Sequence, residues 1–106
     1  TKGDPALKAE IIKLYLEQTP ELLVAMLSAL KRHDLPALKS VVHKLIPSFS
    51  ILGIKSNPEN LARKILLCVN TQEHDGLHSL VIQLEDICRR SCEALRQHLS
   101  IIESTI

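Results

Sequence analysis

Apolar residues recur every three to four positions through most of the chain and nowhere alternate strictly, so the pattern is helical. Asp4-Pro5 has the form of a cap followed by a proline suited to the first turn, and Leu7, Ile11, Leu14 and possibly Tyr15 then form a stripe reaching about Gln18. Thr19-Pro20-Glu21 repeats that grammar, with Glu21 at the positive end of the helix dipole. Leu22 or Leu23, Met26, Leu27 and Leu30 follow, and the stripe ends near the basic Lys31-Arg32-His33. Almost nothing joins these two segments, which are either antiparallel neighbours or one helix bent at Pro20. Asp34-Leu35-Pro36 opens a central helix that carries Leu38, Val42, Leu45, Phe49 and Leu52 on one side and stops at Gly53. Ser56-Asn57-Pro58-Glu59 starts another, with Asn57 as cap and Leu61, Ile65 and Leu66 leading to about Val69. Residues 70–75 are polar and hold a turn. Asp75, with Gly76 just inside, leads into a long last helix bearing Leu77, Val81, Leu84, Cys88, Leu95 and Leu99.

Five helical segments with short connections and no strand signal predict an all-α fold, an antiparallel four-helix bundle with an additional short N-terminal helix. At 106 residues there is room for one core and one domain. Aromatic content of 2% and the absence of Trp favour interdigitating aliphatic helices over a sheet. The chain begins with Thr1 rather than Met, which suits a domain cut from a longer protein.

Charge removes one class of function. Thirteen basic and twelve acidic residues give a net charge of +1, and nucleic-acid binding needs a clustered basic face. There is no run of about 18 apolar residues and no signal-peptide core, so the expectation is a soluble, cytoplasmic domain without membrane contact. Cys68, Cys88 and Cys92 are odd in number and lack a framework spacing, which reads as reduced, buried thiols.

The candidate chemistry centres on His43. It points about 140° away from the middle of the apolar stripe of its helix, toward water or a partner. Around it on the outer side are Pro36, Lys39, Ser40, Ile46, Pro47 and Ser50. Pro47 removes a backbone donor inside the helix, so a bend is expected one turn past the histidine. Other constellations are weaker. His74 and His78, like Cys88 and Cys92, have the i,i+4 spacing of a metal pair, but a third ligand is not obvious and Cys88 lies about 15 Å along the axis from His78. No metal site is expected, and His33 and His98 read as helix-surface residues. No glycine-rich phosphate loop or nucleophile elbow is present, and no acidic residue lies within one turn of His43 on its own helix.

His43, Leu45, Ser48, Leu52 and Gly53 stand at the spacing of the motif of histidine-containing phosphotransfer domains, and the order and lengths of the helices around them resemble that family over nearly the whole chain. Ile46 stands where the family has Lys, and Pro47 where it has Gly. The resemblance implies a phosphorelay carrier of two-component signalling, in which His43 accepts a phosphoryl group from the aspartate of one receiver domain and gives it to another. It also implies a hybrid sensor kinase as parent chain, response-regulator receiver domains as partners, no ATP site and no cofactor here, the magnesium ion being held by the receiver. With the usual Lys gone, Lys39 and Lys44 are the candidates to support the phosphoryl group, and Ile46, Pro47 and Ser50 form the candidate docking surface. A bundle that buries its stripes internally suits a monomer. The competing expectation is a helical docking module that no longer carries phosphate, and a third is a bundle with an unrelated partner.

Overall fold

A computed structural model of the protein describes residues 5–52, 57–71 and 75–105, with the side chains of residues 50–52 and 57 outside that description. It contains four helices, α1 (Pro5–Lys31), α2 (Leu35–Leu52), α3 (Asn57–Thr71) and α4 (Leu77–Thr105), and no strand among the described residues. Helix α1 packs on α2 and α4, and α3 on the same two, so the helices form a ring in chain order with each antiparallel to the next. The body measures 48 × 22 × 18 Å.

Each helix contributes one apolar stripe to the centre. Leu23 and Met26 of α1 meet Leu38, Val42, Leu45 and Phe49 of α2, Ile65 of α3, and Val81, Leu84 and Cys88 of α4, all within one cluster. Helices α1 and α4 are the longer pair and outlast the other two. Their far ends pack on each other through a second cluster of Ala9, Ile12 and Ile102, flanked by Leu16, Leu95 and Leu99. Lys13 and Glu103 close its rim at 3.0 Å, an exposed pair that adds little stability in water.

The additional short N-terminal helix is not separate. Helix α1 runs unbroken from Pro5 to Lys31 with Pro20 inside it. Pro20 has no N–H to bond the carbonyl one turn back, yet Thr19 and Leu23 on either side of it are buried. Tertiary burial holds the helix across the break. Continuity also rotates the expected stripe. A helix that places Leu23 and Met26 inside must continue backward through Thr19, Tyr15, Ile12 and Ala9, and these are the buried residues. Leu7 and Leu14, expected in the core, are 53% and 52% exposed.

The turns follow from local chemistry. His33 adopts φ 55°, in the left-handed region, and closes α1: its N–H bonds the Leu30 carbonyl at 3.1 Å while the Asp34 N–H reaches the Ala29 carbonyl at 2.9 Å. This is the Schellman pattern, with a histidine where glycine is usual. His33 is therefore a turn residue and not a helix-surface one. Asp34 then caps α2, its Oδ1 accepting from Ala37 N–H at 3.2 Å and its carbonyl from Leu38 N–H at 3.0 Å. At the start of α4, Gly76 precedes the helix rather than lying inside it. It holds φ 80° and its carbonyl accepts the first helical bond from Leu80 at 3.0 Å. Helix α3 extends to Thr71, slightly beyond the expected end at Val69. The expected helix stop at Gly53 and the expected capping side chain of Asn57 lie outside the described residues, as does His74.

Between the two apolar clusters sits a small polar group. The Tyr15 hydroxyl is buried there, with Thr19, Cys88 and Cys92 as its neighbours. The expected buried, unbridged thiols are found at Cys88 and Cys92, with Cys68 half-buried. Burial pushes the Cys88 thiol up to about 12 from an ordinary value near 9 and raises the Tyr15 phenol as well.

Two predictions follow from these observations. Replacing His33 by Gly removes the left-handed penalty and should raise unfolding stability by up to ~1 kcal/mol, read from urea titrations. The second concerns alkaline pH. In the unfolded chain the Cys88 thiol ionises near pH 9, whereas in the fold it keeps its proton to about 12. The unfolded state therefore binds fewer protons in that window, so the stability is intact below about pH 9 and falls as pH rises toward 12. Cys88→Ala should flatten that fall, and an unchanged pH slope in the variant would contradict the assignment.

Candidate functional site

The site begins with the rotation of α2. Leu38, Val42, Leu45 and Phe49 are all fully buried, so the opposite side of the helix must face outward, and His43 is exposed there as expected. The backbone beneath it is helical from Leu35 to Leu52, passing through Pro47, which is itself exposed. Proline at this position leaves the His43 carbonyl without its usual intrahelical donor.

The two candidate lysines fall on different sides of the histidine. Lys39 is half-buried and one turn before His43, where i,i+4 side chains are neighbours on the helix surface. Lys44 is rotated about 100° from His43 and turns toward α1. There it lines a depression of about 420 Å³ with Gln18, Glu21 and Leu22. Of the candidate docking residues, Ile46 is half-buried and packs against the central cluster, so its side chain is shared between core and surface. Pro47 is exposed, and Ser50 has its side chain outside the described residues. The structure thus groups His43, Lys39, Ile46 and Pro47 and sets Lys44 apart with α1.

Gln18, Glu21 and Leu22, read from the sequence only as helix residues, were not among the candidate site residues. Register supplies the missing signal: counting equal numbers of residues back from Lys31 and forward from Leu35, Leu22 is level with Lys44. The electrostatic setting is also visible only by helix. Helix α2 carries Lys39 and Lys44 and no acidic residue at all. Glu21 of α1 shares the depression with Lys44.

A second pocket, of about 310 Å³, lies at the end of the bundle where α2 and α4 begin, lined by Leu30, His33, Leu35, Leu77 and His78. It is remote from His43, eight residues or about 12 Å along α2 from Leu35. Among the described residues no three His, Cys, Asp or Glu side chains come together as a metal site. None of the described helices is long and apolar enough to cross a membrane.

Comparison with family models, with curated proteins and with solved structures returns no match for this chain.

Proposed function

We propose that the protein is a phosphorelay carrier in two-component signalling, with His43 as the phosphoacceptor. The observation that carries this reading is an imidazole held outward at mid-helix, on a rigid bundle face, by an opposite stripe that is fully buried. The motif His43, Leu45, Ser48, Leu52 and Gly53 supplies its chemical sense by resemblance to histidine-containing phosphotransfer domains. In the transfer, a neutral imidazole nitrogen attacks the phosphorus of an aspartyl phosphate on a receiver domain. The P–O bond to the carboxylate breaks, the carboxylate leaves, and the ring gives up its N–H proton to solvent. The same steps reversed pass the group to the aspartate of a second receiver, and each receiver brings its own magnesium ion. This chain contributes position and charge: an exposed nucleophile on a backbone that does not have to reorganise, and Lys39 one turn away to stabilise the phosphoryl oxygens. It has no ATP chemistry in this scheme. The parent chain is a hybrid sensor kinase, and the domain works as a cytoplasmic monomer.

One observation favours a second reading, a docking module without phosphate. Ile46, at the place of the family's Lys, packs partly into the core, so no cation can be supplied from that position.

Phosphoramidate labelling distinguishes the two. Wild-type protein should gain one acid-labile phosphoryl group on intact mass, mapped to the peptide containing His43, and His43→Gln should gain none. Equal labelling of both proteins, or no labelling at His43, would leave the docking module. The same assay ranks the lysines. Lys39→Ala should shorten the lifetime of the phosphorylated protein several-fold, while Lys44→Ala, turned toward α1, should leave it within about twofold, in keeping with ~1 kcal/mol for a lost charge-assisted contact at an exposed site.

A further inference from the structure

Charge in this bundle is distributed by helix. Helices α2 and α3 carry four cations, Lys39, Lys44, Arg63 and Lys64, against a single carboxylate, Glu59, so their net charge is +3. That one carboxylate is already held by Arg63, through Nε at 3.0 Å and a terminal nitrogen at 2.9 Å. Helices α1 and α4 carry six cations against seven carboxylates. In a chain with a net charge of only +1, the positive excess thus lies on α2 and α3, with Lys39 one turn from His43.

The same side has an apolar centre. Residues 53–56 connect α2 to α3, which run antiparallel, so counting equally from Leu52 and Asn57 places Leu66 level with His43 and Leu67 level with Val42. Leu66 is buried in the core; Leu67, the next residue round the helix, is 62% exposed. With neighbouring axes 8–10 Å apart, Leu67 stands on the order of 10 Å from the imidazole. Ile46 and Pro47 lie on the adjoining side of α2. A single exposed leucine is ordinary. One that lies within a residue of the level of His43, on a pair of helices with a partly exposed Ile46 and an excess of cations, has the composition of an interface centre.

We propose that α3 completes the docking surface beside His43, with Leu67 as its apolar anchor, and that the surface fits a receiver domain presenting an apolar patch rimmed by carboxylates. This rests on the relay reading above. A receiver must hold an aspartate and an oxygen-ligated magnesium ion at the point of contact, so its rim is acidic by necessity and complements the +3 side. Nucleic acid, the other polyanion, gains nothing from the apolar centre.

The test uses wild-type protein, Leu67→Glu, Leu67→Ala and, as a control on another side of the bundle, Val24→Ala, whose side chain is 63% exposed. Each is labelled with phosphoramidate and mixed with magnesium and, one at a time, the purified receiver domains encoded by the source organism. All four proteins should label equally at His43. Transfer to the receiver that accepts from wild type should show KM raised about tenfold or more by Leu67→Glu and several-fold by Leu67→Ala, with Val24→Ala unchanged. Equal transfer from both Leu67 variants and wild type would overturn the docking role of α3 while leaving the relay standing, whereas labelled wild type that no receiver accepts would overturn both. Failure of wild type to label at His43 would instead remove the relay reading itself, and this proposal with it.

Discussion

The rotation of α2 is the constraint on which the rest depends. Four of its side chains, Leu38, Val42, Leu45 and Phe49, are completely withdrawn from water against the other three helices. At ~1.5–3 kcal/mol for each large apolar side chain, the stripe is worth on the order of 10 kcal/mol, comparable to the net stability of a small domain. Turning α2 by one residue would expose that stripe and drive either Lys39 and His43 or, in the other sense, Lys44 toward the core. The imidazole is therefore held outward by the packing behind it. Pro47 is tolerated for a related reason: it sits on the exposed side, where water can reach the carbonyl that it leaves unpaired.

The two halves of the molecule carry different burdens. Around α2 and α3 all four helices are present, the core is continuous and the outer surface is basic. Beyond the ends of those two helices, α1 and α4 pair alone through a much smaller cluster. Tyr15, Thr19, Cys88 and Cys92 lie between the two regions. The buried phenol among these few polar side chains distinguishes one alignment of α1 against α4 from slipped alternatives, in which the hydroxyl would meet only aliphatic side chains. The thiols beside it stay protonated because burial disfavours the thiolate, so they act as small hydrophobes and not as nucleophiles.

On the carrier reading proposed above, such a bundle has to do little. It would present one nucleophilic nitrogen on a helix whose rotation is fixed by its buried stripe, with Lys39 one turn away, and would leave metal binding and activation to the partner. Where the motif that this stretch resembles has a lysine, this chain has Ile46, which packs partly inward and puts apolar contact in place of a charge near His43. Lys39 is the remaining cation close to His43, and the charge of Lys44 is directed into the groove shared with α1.

Much of this was legible in the amino-acid sequence. Helices α2, α3 and α4, their inner stripes, the Asp34 cap and the exposure of His43 all follow from periodicity and from side chains that bond their own backbone, which are interactions within a few residues of each other. Helix α1 was legible only in part. Thr19-Pro20 has the local form of a helix start, and Leu7, Ile11 and Leu14 have the spacing of a core stripe, yet burial of Thr19 and Leu23 on both sides of the proline carries one helix through and rotates those leucines to its surface. The left-handed turn at His33 is local, but no glycine marks it in the sequence. The depression that Lys44 shares with Gln18, Glu21 and Leu22 has a different origin: it depends on which helix lies beside which and at what level, a relation between residues far apart in the chain that local patterns do not encode and only the packed bundle decides.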